Sequence, residues 1–216
     1  MKTFLFHGIS GCGKDTQVDL LVERFGFLKI ATGDMFRDLF EAGEPLGIEA
    51  HDFMKEGILV PDDLVYKILE VGLAKYDTTK DWAFVSVVRN RTQLPLFDAL
   101  LQKYNRPLNA FVHLILSEQA AIERMSFRSY CPKCNAIYHS KSKPEKVAGI
   151  CDVDGTPLLH RDDDKPEAIK KRFEWYNDDI KPILDTYRAR NLLVEIDASP
   201  SIEVIHQEII SKLLIV

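Results

Sequence analysis

Near the amino terminus a short β-prone run, Thr3 to Phe6, breaks into GISGCGKDTQ, Gly8 to Gln17, and a helical pattern starts directly behind it. No other stretch of the 216 residues constrains the fold as strongly. Gly8, Gly11 and Gly13 let the backbone bend so that successive N–H groups point inward, and the start of a helix adds its partial positive charge. Lys14 is placed to reach the terminal phosphates of a nucleotide. An ordinary glycine turn is the plain alternative, but the strand before and the helix after favour a phosphate-binding loop (P-loop). Asp15 stands where Ser or Thr is usual after the lysine, and Thr16 comes one position later.

Behind the loop, Val18, Leu21 and Phe25 share one face of a helix expected over 15–25. Leu28 to Ala31 reads as a second strand, 84–88 as a strand covered on both faces, 110–116 as another apolar strand and 192–196 as a last one. Helices are expected over 34–42, 47–56, 94–104, 117–127 and 201–214, with another from Pro61-Asp62-Asp63 to about Lys75. This alternation implies an α/β fold: a parallel sheet of about five strands with helices on both faces. From 130 to 160 the rhythm stops, and the chain becomes rich in Cys, Lys, Pro, Gly and His. That stretch reads as a small insert with its own staple.

The length suits one α/β domain with inserts. A net charge of −5 argues against a nucleic-acid binder that works through bulk charge. No apolar run approaches a membrane span, and the opening MKTFLFHGISG is too short for a signal-peptide core. The expectation is a cytosolic protein without membrane or nucleic-acid partners. In such a reducing compartment the cysteines Cys12, Cys131, Cys134 and Cys151 suggest metal binding before disulfides.

The loop spacing resembles the adenylate kinase family of nucleoside monophosphate kinases, whose loop reads GxxGxGKGTQ. Gly8, Gly11, Gly13, Lys14, Thr16 and Gln17 match it, and Asp15 replaces a glycine. Thr32 to Arg37, TGDMFR, is similar to the family's TGDMLR, and Gly57 to Asp62, GILVPD, to its GxLVPD. Arg89, Gln93, Phe97 and Asp98 fall in register with its DGFPRTxxQAxxLD. Arg124 and Arg128 fall at the arginines of ERIxGR, with Phe127 in place of glycine. Arg161 to Pro166 is RDDDKP, and Arg172 matches the arginine of KRL. The resemblance covers nearly the whole chain. It implies a core of 1–31, 61–128 and 162–216, a monophosphate-binding segment of 32–60 and a lid of 129–161.

The resemblance also implies roles. Gly11, Cys12, Gly13, Lys14, Asp15 and Thr16 would cradle the phosphates of ATP, with Arg124 against the donor adenine. Thr32, Arg37, Val60, Arg89 and Gln93 would hold AMP, the arginines by their two-pronged grip on phosphate and Gln93 by reading the adenine edge. Lys14, Arg89, Arg128, Arg161 and Arg172 would stabilise the transferring group. The implied reaction is MgATP + AMP ⇌ 2 ADP. A monomer is expected, since nothing like a heptad or a large exposed apolar face shows in the sequence.

Two places need separate readings. Cys131-x₂-Cys134 is followed after sixteen residues by Cys151-x₂-Asp154, a spacing that suits a structural Zn²⁺ with a carboxylate as fourth ligand. His139 and His160 are rival fourth ligands. The family also includes forms with three cysteines and an aspartate. In the DGFPR segment this chain reads Val85-Ser86-Val87-Val88 before Arg89, so the carboxylate that helps hold Mg²⁺ in the family is missing. Asp15 could supply it, or could merely start its helix. Asp34 and Asp163 are further candidates. A protein that binds nucleotides without efficient chemistry, or a kinase with another acceptor, are the alternative functions.

Overall fold

The computed structural model describes residues 1–74 and 76–214. Lys75, the expected end of the fourth helix, lies outside them, as does the side chain of Asp162.

Strand β1 (Thr3–Gly8) leads through the glycine loop into α1 (Lys14–Phe25), and β2 (Leu28–Ala31) follows. Three helices come next: α2 (Thr32–Glu41), α3 (Pro45–Lys55) and α4 (Asp62–Leu73). Then β3 (Trp82–Val85), α5 (Gln93–Lys103), β4 (Ala110–Ile115) and α6 (Glu118–Ser126) alternate. The lid carries a small antiparallel pair, β5 (Arg128–Tyr130) and β6 (Ile137–His139). The chain closes with α7 (Pro166–Ala189), β7 (Leu193–Asp197) and α8 (Ile202–Leu213).

The main sheet is parallel, in the order β2-β3-β1-β4-β7. Successive side chains of a strand face opposite sides, and β1 divides its residues accordingly. Phe4 and Phe6 enter one core with Val18, Leu21, Ile205 and Ile209. Leu5 enters the other with Ile30, Ile68, Phe97 and Tyr187. Burial on both faces is why the central strands β1, β3 and β4 read as nearly continuous apolar runs. The chain leaves β1 on one side and β4 on the other, so the glycine loop opens into a crevice at the carboxyl ends of the strands, where ligands of open α/β sheets bind.

Several sequence expectations need correction. The third strand ends at Val85, because Ser86 has φ 52° and turns the chain out of the sheet. Val87 and Val88 are buried in the following loop instead. Phe25 does not join the face of Val18 and Leu21. It is the last residue of α1 and 37% exposed, beside His206 at the helix edge. The long α7 was not anticipated, although Pro166 at its first turn and Ile169, Phe173, Ile183 and Tyr187 at spacings of four and ten mark a helix with one buried stripe. Its charge-rich outer face and Pro182 obscured the period.

Candidate active site

The crevice holds about 1630 Å³ of empty space, counted to its open mouth. The glycine loop forms the floor. Gly11 has φ 85°, and a Cβ there would lie 2.7 Å from the carbonyl oxygen of Ala121, so only glycine fits. Gly13, also with positive φ, starts α1 without a side-chain cap. The first helical hydrogen bond from this end is Gln17 N–H to the Gly13 carbonyl, at 3.1 Å. The N–H groups of Lys14, Asp15 and Thr16 therefore have no intrahelical acceptor, and the helix dipole adds to them. The Cys12 side chain is buried in the core, so this residue can offer the crevice only backbone.

Cations converge above this floor. Lys14, Arg37, Arg89, Arg124, Arg128, Arg161 and Arg172 all line the crevice, with Asp15 and Thr16. Some are neutralised. Arg128 pairs with Asp164, Arg37 with Asp34, and Arg172 Nη1 with Asp163 Oδ2 at 2.7 Å. Of these seven, Lys14, Arg89, Arg124 and Arg161 carry no ion pair among the described residues. Lys14 Nζ has only the Ile9 carbonyl at 3.5 Å. Arg89 donates from Nε to the Ser86 carbonyl at 2.9 Å, and its guanidinium lies 5.8 Å from the Trp175 ring. Arg161 has Nε and Nη2 buried without a hydrogen-bond partner. Burial, then the like charges of Arg172 and Arg37, pull Arg89 down to about 10. Burial, then Arg37 and Arg128, do the same to Arg161. Burial also lowers Lys14. Crowded, desolvated and unpaired cations of this kind are completed by a polyanion.

A smaller pocket beside the crevice is lined by Thr32, Val60, Arg89 and Gln93, with Phe36 and Val87. The sequence predicted the first four as neighbours. Gln93 is 1% exposed, and its amide is partly used: Oε1 accepts from the Arg89 N–H at 2.7 Å and Nε2 donates to Asp62 Oδ1 at 2.7 Å. One lone pair and one N–H remain. Arg124 donates to the carbonyls of Cys12 at 3.4 Å and Ala198 at 2.8 Å, which holds it over the glycine loop. Gln17, part of the loop motif, is structural here. It donates to the Ile202 carbonyl at 3.0 Å and meets His206 Nδ1 at 3.1 Å.

In the lid, the ligand atoms of Cys131, Cys134, Cys151 and Asp154 all lie within 4.8 Å of one another. Cys134 and Cys151 Sγ are 3.6 Å apart, and Cys131 Sγ lies 3.5 Å from Asp154. His139 and His160 lie outside this cluster among the described residues; His139 Nδ1 accepts from the Lys141 and Ser142 N–H groups, and His160 Nδ1 meets the Arg128 carbonyl. Three sulfurs and a carboxylate at these separations suit a tetrahedral zinc ion. The lid has little else to hold it, since its apolar cluster is Cys131, Tyr138 and Cys151 with Ala136 and Leu158 at the margin.

The lid rests on the helical segment across the crevice. Asn135 Nδ2 donates to Asp38 Oδ1 at 2.6 Å, and its Oδ1 accepts from Arg37 Nε at 3.4 Å. Asn135 was not expected from sequence, nor was Trp175. Both act through geometry that only the fold creates.

The phosphate loop thus floors a crevice onto which Lys14, Arg89, Arg124 and Arg161 face without an ion pair. A sequence model described as Adenylate kinase matches residues 6–192. The chain belongs to the adenylate kinase family. It is 36% identical to an adenylate kinase of Acholeplasma laidlawii, over 99% of both chains. It is 36% identical to one from Caldanaerobacter subterraneus, over 96% of this chain and 94% of the relative. An adenylate kinase of Archaeoglobus fulgidus is 33% identical, over 95% of this chain and 94% of that one. Adenylate kinases are phosphotransferases, and the enzyme class follows from the membership.

Proposed function

We propose that the chain transfers the terminal phosphoryl group of ATP directly to AMP, giving two ADP. The observation that carries this reading is the set of half-buried cations without an ion pair, Lys14, Arg89 and Arg161, on one crevice with the phosphate loop. The loop N–H groups and Lys14 bind the donor phosphates. Thr32, Arg37, Val60, Arg89 and Gln93 hold the acceptor, and Gln93 offers adenine its remaining donor and acceptor. Arg128, Arg161 and Arg172 close on the transferring group with the lid, and Arg124 lies against the donor base. In-line transfer needs charge stabilisation and exclusion of water rather than covalent help, and these groups supply both.

Magnesium bound to ATP spreads the charge of its phosphates. Val85 cannot orient an ion's waters, whereas Asp15 is a hard oxygen donor on the loop. Burial opposes its charge, but Lys29 and Lys14 hold its carboxyl well below the usual range, so it stays ionised. Asp15 is therefore the residue proposed to hold that ion. Zinc in the lid is structural, with Cys131, Cys134, Cys151 and Asp154 filling its four positions. The segments 32–60 and 129–161 act as the acceptor-binding and lid units on the core. The chain is proposed to act as a monomer. The unpaired thiols suit the cytosol, and no helix among the described residues is long and apolar enough to cross a membrane.

The acceptor assignment is tested by comparing AMP, CMP, UMP and GMP at equal ATP, with Gln93→Leu alongside. AMP should be the best acceptor, and the variant should lose at least about tenfold of that preference. Equal rates with all four monophosphates would remove adenine reading from the account.

A further inference from the structure

Lys29 pairs with Asp15 but does not itself line the crevice. It lies on β2, two residues before the strand ends, and its side chain is only 16% exposed. Three carboxylates surround its ammonium. Nζ is 3.2 Å from Asp15 Oδ1, 3.0 Å from Asp19 Oδ1 and 3.3 Å from Asp34 Oδ2. Asp15 and Asp19 lie four apart on α1, on one face behind the phosphate loop. Asp34 lies on α2, and its other oxygen takes the Arg37 guanidinium. A continuous chain of charges, Asp15–Lys29–Asp34–Arg37, thus runs from the donor loop to an arginine of the acceptor segment.

An ammonium on a flexible stem has three donors and suits three separate acceptors. Burial works against the Lys29 charge, but Asp15, Asp34 and Asp19 outweigh it and hold the group firmly protonated. The converse matters as much. Without Lys29, three carboxylates would face one another at short range beside a site for anions, and Asp34 would be left to Arg37 alone.

We propose that Lys29 is a positioning residue of phosphoryl transfer, which ties the phosphate loop to the acceptor segment and fixes Arg37 through Asp34. This rests on the kinase reading given above. A lysine that only pinned β2 to α1 would affect stability and leave the acceptor site alone. The positioning role requires AMP binding to change more than ATP binding does.

The test is calorimetric titration of the wild type and Lys29→Gln with AMP and with ATP, together with melting curves and ADP formation. The variant should bind AMP about tenfold more weakly, through a misplaced Arg37, with ATP affinity changed less than about threefold. A variant that melts lower but binds AMP within about twofold of wild type would overturn the proposal. If Lys29→Gln does not fold, the double variant Lys29→Gln/Asp15→Asn removes one charge of each sign and decides the matter. Weakened AMP binding is again expected, and wild-type AMP binding again overturns it. A wild type that binds AMP but forms no ADP would sink the kinase reading instead, with the Lys29 link still judged by affinity.

Discussion

His7 stands on β1 one residue before the glycine loop, 2% exposed, its ring stacked on Phe111 at 5.6 Å and Tyr176 at 5.8 Å. Neither ring nitrogen has a well-formed hydrogen bond. Burial, reinforced by His113, Lys14 and Arg89, holds its pKa well below the ordinary value, and a weak approach to the Val88 backbone does not reverse this. The folded protein thus keeps His7 neutral under conditions in which the unfolded chain protonates it. The unfolded state binds the extra proton, so stability falls as pH drops below about 6.5. If His7 stays neutral down to pH 5, the loss from pH 7 to pH 5 is about 2 kcal/mol, or about 4–8 °C in Tm for a chain of this size. His113 and His206 are shifted the same way and add to the slope. The crevice carboxylates with lowered pKa, Asp15 and Asp163, add theirs only near and below about pH 4. His7→Leu isolates the term. The variant removes two unpartnered buried nitrogens and should melt higher at pH 7. It should also lose about 2 kcal/mol less than wild type between pH 7 and 5, measured by urea denaturation at both values. Equal losses in the two proteins would refute this account of His7.

Two further outcomes follow from the lid. Purified protein should hold one zinc per chain, and prolonged chelation should lower its melting temperature and its activity together, because the lid's apolar cluster is too small to stand alone. An unchanged melting curve on a zinc-free protein would contradict the staple. Asn135→Gly keeps the left-handed backbone that Asn135 adopts at φ 58° but removes both hydrogen bonds to the acceptor segment. It should raise KM for AMP several-fold, by about 1 kcal/mol or more in transition-state terms, with zinc content unchanged. An unchanged KM would mean that the contact does not hold the lid down.

The strand–loop–helix start was legible because its turn needs glycine at fixed places and its flanks have clear periods. The arginines were legible only as a registered set. Arg89, Arg128, Arg161 and Arg172 lie far apart in the chain, and no single one is distinguishable from a surface charge. The grouping of Cys131, Cys134, Cys151 and Asp154 was legible because two short turns that bring four such side chains together constrain sequence directly. Ser86 shows the limit of such reading. Its place in the motif is a glycine's, and the backbone keeps the left-handed turn, at about 1–2 kcal/mol for a residue with a side chain. Seen as one residue of an apolar run, it extended the strand too far. Lys29, Asn135 and Trp175 were missed for a different reason. Each acts on a partner from another element, and in sequence a lysine in a strand, an asparagine after a cysteine and a tryptophan on a charged helix have ordinary explanations.

The central claim is that the unpaired cations around the phosphate loop carry phosphoryl transfer between two nucleotides. ADP formation from ATP and AMP, titrated with magnesium beside a Lys14→Met control, tests it most directly. The account predicts magnesium-dependent turnover in the wild type and a loss of at least about a hundredfold in the control. Tight ATP binding with no ADP formed, or turnover undiminished in Lys14→Met, would contradict it.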